Sequence, residues 1–375
     1  MAAYIITCIT LSKLFTEINY KLVYHIKMKT TMAIKVMLLA MALSHDSMAF
    51  GAGTVGINYG RLGNNLPPPA RVVEFLTKDL NYAIPSVRIF DPEPEVLSAL
   101  ATSNLSVCLG VKNQDLAQMA GSMDYTRNWV REFVTPYTKG GNGTLKLRYI
   151  TAGNEIIPGT EAVYVLPAMK NIQQVLEQEN VPNVGVSTVL SAAALGSSYP
   201  PSNGSFATEV ATTLNEISKF VYSKGAPLMI NVYPYFTLAS DPQQVTLDYA
   251  SFRSTTPVAQ DGDRNYFNLF DSIVDSFIAA MVKAVGKEDV KVVVTETGWP
   301  SAGSNLPHAS VENAKTYNSN LKKHIQTLGG TPRRPNLNLE TFIFALFNEN
   351  QKPEGTEQNF GSFYPNLQEV YPLWR

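Results

Sequence analysis

From about residue 54 onward, short apolar segments rich in β-branched residues alternate with longer segments whose apolar residues recur at helical spacing. This alternation is typical of a repeated strand and helix unit, in which helices cover a parallel sheet. The candidate strands are residues 55–59, 86–90, 106–111, 147–152, 184–189, 228–232, 291–294 and 341–346. Eight repeats predict an α/β fold and favour a single closed (β/α)8 TIM barrel, although an open doubly wound sheet would alternate in the same way.

Two of these candidate strands run into a glutamate and then into a turn. The strand at 291–294 leads to Glu296, and the strand at 147–152 leads to Glu155. Glycine and proline follow both glutamates closely and break the extended conformation. Because the carboxyl ends of barrel strands share one rim, where the chemistry of such folds is located, both glutamates are expected in one cleft at that rim.

Two carboxyl groups at one rim suit the hydrolysis of a glycosidic bond. One group must protonate the departing oxygen, and the other must attack the sugar carbon or activate water while positive charge develops on the sugar. Asn154 could hold a sugar hydroxyl, and Trp299 places a flat apolar ring beside Glu296, as sugar sites often do. A lone glutamate at a strand end is more often a surface residue, so the pair alone is weak evidence.

Seven short motifs follow one another from about residue 54 to the C-terminus. They are VGINYG (55–60), GNNLP (63–67), VRIF (87–90), GNE (153–155), NVYPYF (231–236), TETGWPS (295–301) and FALFNENQK (344–352). In this order they resemble the plant β-1,3-glucanases of glycoside hydrolase family 17, with far greater specificity than any single pattern. The resemblance implies a barrel enzyme that hydrolyses internal β-1,3 linkages in glucans such as callose, laminarin or fungal wall polymer.

The resemblance also implies roles for the matching residues. Glu155 is similar to the family's general acid/base, and Glu296 to its nucleophile in a double displacement that retains the anomeric configuration. Retention requires the two carboxyl groups to lie about 5 Å apart. Asn154 is similar to the amide that holds the sugar 2-hydroxyl.

Two further sets of residues resemble parts of the family's cleft. The first set is implied to orient the nucleophile or to line subsites, and the second to place polar groups beside the nucleophile. The first consists of Tyr59, Tyr233 and Phe236, and the second of Glu349, Lys352 and Glu357. A plainer interpretation stays open for both sets, since aromatic residues usually pack in cores and charge clusters are usually solvated.

The N-terminal residues have the features of a secretory signal. Lysines precede the apolar run at 36–43, and small residues follow at the positions that a signal peptidase reads. We expect residues 1–49 to be a leader that contains the cleaved signal, and residues 50–375 to form the catalytic barrel, secreted to the apoplast or cell wall. An additional apolar segment before Met28 suggests that translation starts at Met28 or Met32.

Composition and charge narrow the possible partners. Hydrophobic residues make up 45% of the 375-residue chain and charged residues 16%, with a formal net charge of −1. Such a chain, without a run of basic residues, argues against a nucleic acid or an anionic membrane as partner. No stretch reaches the length of a membrane helix, so we expect no membrane anchor. The expected protein is a monomer that binds a β-glucan polysaccharide.

Few residues are available for histidine or cysteine chemistry. Only His308 and His324 lie beyond the leader, which argues against a serine hydrolase triad or a histidine-ligated zinc site. The hydrolysis implied by the resemblance requires no metal or organic cofactor. Cys108 stands alone after the leader and is expected to be a buried, inert thiol. Sequons that fit a secreted glycoprotein occur at Asn104, Asn142 and Asn203.

Two alternative functions remain open from the sequence. Within the same chemistry, the chain could hydrolyse mixed-linkage β-1,3;1,4-glucan, because the catalytic pair is shared and the difference lies in the subsite loops. From a different class, it could be a glucan-binding defence protein with little turnover. The presence of both glutamates disfavours this second alternative.

Overall fold

The structure is a computed structural model of the 375-residue chain. It describes residues 53–139, 144–305 and 307–374. The expected leader, residues 1–49, and the sequon at Asn142 lie outside the described residues.

Within the described residues, eight parallel strands close into a barrel. They are β1 (Thr54–Tyr59), β2 (Ser86–Ile89), β3 (Ser106–Val111), β4 (Lys146–Asn154), β5 (Gly185–Leu190), β6 (Leu228–Asn231), β7 (Val292–Thr297) and β8 (Glu340–Ile343). Each strand pairs with the next along the chain, and β8 pairs with β1 to complete the ring. The predicted α/β barrel is thereby confirmed over the open sheet, and the strand ends differ from those predicted by at most three residues.

Helices connect successive strands and cover the barrel. The α-helices are α1 (Pro69–Glu74), α2 (Pro94–Ala101), α3 (Leu116–Gly121), α4 (Met123–Phe133), α5 (Thr135–Thr138), α6 (Ala162–Gln178), α7 (Ala211–Ser223), α8 (Pro234–Ser240), α9 (Leu247–Ala250), α10 (Leu269–Val285) and α11 (Val311–Thr327). A π-helical turn follows α1 at Phe75–Asp79, and 3-10 turns occur at Asn113–Asp115, Ala192–Ala194, Pro201–Asn203 and Thr356–Asn359.

The eighth repeat differs from the other seven. After β8, the described residues form only the short turn Thr356–Asn359 and an irregular segment, where an eighth helix was expected. This segment buries Phe363, Tyr371 and Trp374 against the rest of the core. Large aromatic side chains therefore cover the apolar surface that a helix covers elsewhere in the barrel.

The barrel interior is filled by side chains that the strands direct inward. One buried cluster inside the ring consists of Cys108, Tyr149, Val189, Met229, Val293 and Phe342. Burial raises the pKa of the Cys108 thiol to about 12. The expected burial of this thiol is confirmed, and a raised pKa is consistent with low reactivity.

Two small hairpins lie outside the barrel and were not predicted. One pairs Leu195–Ser197 with Ser205–Phe206, and the other pairs Ala259–Asp261 with Arg264–Tyr266. The second hairpin ends at Tyr266, and α10 begins at Leu269. The side chain of Asn268 accepts a 2.8 Å hydrogen bond from the backbone N–H of Asp271, which is the capping interaction that begins α10.

Candidate active site

A cleft of about 610 Å³ opens at the carboxyl ends of the barrel strands. Nine of the ten predicted site residues line it: Tyr59, Asn154, Glu155, Tyr233, Phe236, Glu296, Glu349, Lys352 and Glu357. They come from the ends of β1, β4 and β7, from the segment after β6, and from the loop after β8. Parallel strands bring these residues together because all their carboxyl ends meet at one rim.

Glu155 projects into the cleft directly after β4. Its φ of 57° and the φ of 88° at Gly153 lie in the left-handed region, which turns the chain sharply at the strand end. The backbone N–H of Glu155 donates to the carbonyl oxygen of Val189 on β5, over 2.9 Å, and so holds the turn in place. A non-glycine residue in this conformation is uncommon, and such positions cluster at functional sites.

The environment of the Glu155 carboxyl favours its protonated form. Burial and the nearby negative charge of Glu296 raise the pKa of Glu155. Asn231 opposes these effects, because its Nδ2 donates a 2.9 Å hydrogen bond to Oε1 of Glu155. The residue is still accessible from solvent along the cleft. A protonated acid within reach of a substrate is what the departure of a glycosidic oxygen requires.

Glu296 lies within β7, and its carboxyl is held from two sides. The β7 register shifts between Val294 and Glu296 relative to β6. Oε1 of Glu296 accepts a hydrogen bond from Nη1 of Arg88, and Oε2 accepts one from the Tyr233 hydroxyl over 2.8 Å. Only 9% of the Glu296 side chain is exposed, so these two donors replace most of the hydration of the carboxylate.

Arg88 connects both glutamate-bearing strands and was not predicted as a site residue. Its side chain is 1% exposed, and it donates to Oδ1 of Asn58 over 3.1 Å and to Oδ1 of Asn154 over 2.7 Å in addition to Glu296. The sequence contains a signal for this role, since Arg88 is a charged residue between Val87 and Ile89 in a strand whose apolar pattern predicts burial. A buried cation of this kind is stable only with anionic or polar partners.

Asn154 is fixed through both its backbone and its side chain. Its backbone N–H donates to Oδ1 of Asn113 over 2.9 Å, and its carbonyl oxygen accepts from Nδ2 of Asn113 over 3.1 Å. Because Arg88 occupies the amide oxygen, the amide nitrogen is left to donate elsewhere. The side chain is half-buried at the cleft wall, where it can serve as a donor to a ligand.

A second buried carboxyl, that of Glu349, also lines the cleft. Glu349 is 3% exposed and accepts a 2.7 Å hydrogen bond from the backbone N–H of Leu62. Burial raises the pKa of Glu349. The charge of Lys352, whose Nζ lies 3.7 Å from Oε2, opposes this increase without cancelling it. Lys352 also lies over the Phe344 ring, at 4.1 Å from its centroid. Gly60 leaves the space that the Glu349 carboxylate fills.

The predicted aromatic residues differ in what they offer the cleft. Tyr59 is 1% exposed and packs edge-on against Phe347, so most of its ring belongs to the core. The ring centroids of Tyr233 and Phe236 lie 5.4 Å apart, and Phe236 is 41% exposed. Phe236 therefore presents an accessible ring at the cleft wall, and the Tyr233 hydroxyl serves Glu296.

Trp299 does not occupy the position expected from the sequence. Its side chain is fully buried, packs against Tyr235 and Tyr317, and donates from Nε1 to the carbonyl oxygen of His308 over 2.7 Å. It does not line the cleft. The expectation of a sugar-facing ring next to Glu296 is corrected, because the turn after β7 directs Trp299 into the core. Phe236 supplies the accessible ring instead.

No group of three or more histidine, cysteine, aspartate or glutamate side chains in residues 53–139, 144–305 and 307–374 is arranged to hold a metal ion. In the same part of the chain, no helix combines the length and apolar character needed to cross a membrane.

Comparisons with known proteins agree with this architecture. Residues 55–374 match the family described as Glycosyl hydrolases family 17. A Hordeum vulgare protein provisionally named glucan endo-1,3-beta-glucosidase is 48% identical over 86% of this chain and 97% of its own length. A Vitis vinifera protein named glucan endo-1,3-beta-glucosidase is 40% identical over 91% of this chain and 96% of its own.

Solved structures with the same arrangement include a beta-1,3-glucanase and allergen of Cryptomeria japonica pollen. It superimposes with a TM-score of 0.80 at 42% identity, covering 86% of this chain and 98% of that one. Another comes from a description of two plant beta-glucan endohydrolases with distinct substrate specificities. It superimposes with a TM-score of 0.79 at 40% identity, covering 85% of this chain and 100% of that one.

Proposed function

The chain belongs to the glycosyl hydrolases of family 17, and we propose that it is a glucan endo-1,3-β-glucosidase that cleaves internal β-1,3 linkages with retention of configuration. The names of its Hordeum vulgare and Vitis vinifera relatives support this activity and substrate class. The observation that carries the proposal is the pair of glutamates in one cleft, of which Glu296 is paired with Arg88 and Glu155 has a raised pKa.

In the first step, Glu296 attacks the anomeric carbon as a carboxylate. Arg88 and Tyr233 hold its two oxygens, so the carboxylate needs little reorganisation to reach the sugar. Glu155 gives its proton to the glycosidic oxygen as the bond to the anomeric carbon breaks. The products of this step are a shortened glucan and a glycosyl ester on Glu296.

In the second step, Glu155 acts as a base instead of an acid. Glu155 is now a carboxylate, and it takes a proton from a water molecule that attacks the anomeric carbon. The ester bond to Glu296 breaks, Glu296 leaves as a carboxylate, and Glu155 is protonated again. Loss of the negative charge on Glu296 in the ester lowers the cost of ionising Glu155, because the Glu296 charge helps to raise the pKa of Glu155.

The remaining cleft residues act on the substrate or on the two glutamates. Asn154 offers its amide N–H to the sugar 2-hydroxyl, since Arg88 occupies its oxygen. Phe236 offers an apolar face to a glucose ring, and Tyr59 shapes the wall. The polar group of Glu349, Lys352 and Glu357 also lines the cleft.

Variants of the two glutamates test this assignment through the stereochemistry of rescue. With an activated aryl β-glucoside donor, azide should rescue Glu155→Ala through the glycosyl ester and yield a β-glycosyl azide. Azide should rescue Glu296→Ala by direct attack and yield an α-glycosyl azide. Full hydrolysis of laminarin by Glu296→Gln, or the reverse pairing of azide products, contradicts the proposed roles.

Linkage preference is tested with defined substrates. Laminarin and a mixed-linkage β-1,3;1,4-glucan compete for the same catalytic pair, and we expect the higher kcat/KM for laminarin. A higher value for the mixed-linkage polymer would assign the chain to the alternative specificity. Binding of laminarin without release of reducing ends would instead point to a glucan-binding protein.

We propose that the enzyme works outside the cell as a monomer with a β-glucan as its partner. The exposed sequon asparagines Asn104 and Asn203 are compatible with passage through the secretory pathway. Mass spectrometry of the protein from its native tissue would locate the mature N-terminus, expected near residue 50, and any glycans. Light scattering of the purified protein would determine its oligomeric state.

A further inference from the structure

Thr295 stands one residue before Glu296 and is fully buried. Its hydroxyl donates a 3.0 Å hydrogen bond to Oδ1 of Asn231, on the adjacent strand β6. Asn231 in turn donates from Nδ2 to Oε1 of Glu155, over 2.9 Å. Two consecutive hydrogen bonds therefore run from Thr295 to the carboxyl proposed as the acid/base.

The orientation of the Asn231 amide is the critical feature of this chain of bonds. An asparagine amide can turn over and exchange its oxygen and nitrogen ends, so its partners decide which end faces Glu155. A hydroxyl that donates to Oδ1 favours the orientation in which the N–H group faces Glu155. Asn231 is 2% exposed, so bulk water is not available to replace a lost partner.

We propose that Thr295 is a positioning residue, whose hydroxyl holds the Asn231 amide with its N–H directed at Glu155 and so favours the ionised Glu155 that the second step requires. The inference rests on the acid/base role proposed for Glu155. A turned-over amide would present its oxygen to the Glu155 carboxylate, which disfavours ionisation and favours the protonated acid.

Other groups that act on Glu155 are independent of this hydroxyl. The charged groups that influence Glu155 are Glu296 on β7, Arg88 on β2 and Glu357 in the loop after β8. The Thr295 hydroxyl contacts none of them, since its second neighbour is the carbonyl oxygen of Ile230 at 3.2 Å. Replacing the hydroxyl therefore changes the amide and leaves the charges in place.

The test is the pH dependence of kcat/KM on laminarin for the parent, Thr295→Val and Thr295→Ser. The alkaline limb reports the acid/base of the free enzyme, and the acidic limb reports the nucleophile. We expect the alkaline limb of Thr295→Val to move to higher pH by about one unit, because a hydrogen bond to a charged acceptor is lost. Thr295→Ser retains the hydroxyl, so its alkaline limb should lie at the same pH as that of the parent.

The position of a pH limb does not depend on how much enzyme is active, so a partial folding defect does not imitate the expected shift. An alkaline limb that stays in place in Thr295→Val overturns the proposal. It is also overturned if Thr295→Ser moves as far as Thr295→Val. If Thr295→Val is too slow to assay, NMR titration of carboxyl-labelled glutamate, with Glu155→Gln to assign the signal, measures the same shift directly.

Failure of the underlying function gives a different result. If Glu155→Gln hydrolyses laminarin as the parent does, Glu155 is not the acid/base and both proposals are overturned. If Glu155→Gln is inactive while Thr295→Val keeps the parent limb, only the positioning role is overturned.

Discussion

The Tyr233 hydroxyl lies 2.8 Å from Oε2 of Glu296 and donates a hydrogen bond to it. Its ring packs edge-on against Phe344 and Phe360, at 6.3 and 5.8 Å between centroids. Burial and the charge of Glu296 raise the pKa of Tyr233 well above its usual value, so the hydroxyl keeps its proton. The aromatic wall of the cleft thus supplies a permanent donor to the proposed nucleophile.

Removing this donor should impair catalysis with little effect on folding. In Tyr233→Phe the ring contacts remain, and one oxygen of Glu296 loses a charge-assisted hydrogen bond. We expect kcat/KM on laminarin to fall about 10- to 100-fold, which corresponds to roughly 1.5–3 kcal/mol. Steady-state kinetics and thermal unfolding measure the two effects.

Tyr235→Phe is the matched control for Tyr233→Phe. Tyr235 is also buried, but its ring packs against Trp299, and the residue does not line the cleft. Its kcat/KM should remain within about twofold of the parent. Equal losses in both variants would mean that the effect comes from aromatic packing and not from the hydrogen bond to Glu296.

The guanidinium of Arg88 should not be replaceable by another cation. A lysine presents a single nitrogen on a flexible stem, so it does not reproduce the separate contacts that Nη1 makes with Glu296 and Nη2 makes with Asn154. We expect Arg88→Lys to lower kcat on laminarin at least 100-fold. Arg88→Met, which leaves a buried carboxylate without its cation, should also lose about 3–5 kcal/mol of stability in urea unfolding. A fully active Arg88→Lys would contradict the proposal that the planar guanidinium of Arg88 positions Glu296 and Asn154.

Gly60 should be intolerant of any side chain. A Cβ at this position would overlap the Glu349 carboxylate, which is fixed by Leu62 and Lys352. We expect Gly60→Ala to cost about 1–3 kcal/mol of unfolding free energy and to reduce kcat as Glu349 is displaced. Gly121→Ala is the control, because a Cβ there meets no atom within 4 Å. Similar stability in the two variants would show that Glu349 can move without cost.

The pH dependence of folding should report Asp275, a residue of α10 away from the cleft. Asp275 is 1% exposed, and burial raises its pKa from 3.8 to about 6 despite hydrogen bonds from Thr331, Arg333 and Tyr266. The folded state therefore binds a proton more tightly than the unfolded state between these two values. This contribution to stability is complete below about pH 4 and is lost as the pH rises through about 6.

Comparison with Asp275→Asn isolates this effect, since asparagine does not titrate. Between pH 4 and pH 7, the unfolding free energy of the parent should fall relative to that of the variant, by an amount on the order of 3 kcal/mol. Mismatched hydrogen bonds in Asp275→Asn would lower its unfolding free energy by the same amount at every pH. Such a loss does not alter the difference between the pH dependence of the parent and that of the variant. Parallel stability curves would show that Asp275 titrates alike in the folded and unfolded chain.

Much of the architecture was predictable from local patterns. The period of the apolar residues identified all eight barrel strands, because strands buried on both faces are predominantly apolar. The glutamates at 155 and 296 followed from the same reasoning, since strand direction alone places both at one rim. The irregular segment that replaces the expected eighth helix after β8 in the described residues, and the two hairpins, were not predictable in this way, because aromatic packing and short turns replace periodic patterns there.

Site detail depended on what surrounds each side chain. Trp299 follows Glu296 closely along the chain, yet the turn after β7 directs it into the core and leaves the cleft wall to Phe236. Arg88, Asn231 and Thr295 belong to strands that read only as buried, and their importance lies in hydrogen bonds to residues distant in sequence.

By itself, then, the sequence determined the eight alternating strands and the two glutamates that follow strand ends, since these depend on periodicity and on local turn residues. Closure of the strands into a barrel was favoured by the sequence and decided by the structure. Tertiary structure alone decided which groups contact each acid and that the pKa of Glu155 is raised. Burial, hydrogen-bond direction and the distance between charges determine a carboxyl's pKa, and these quantities exist only after the chain has closed into the barrel.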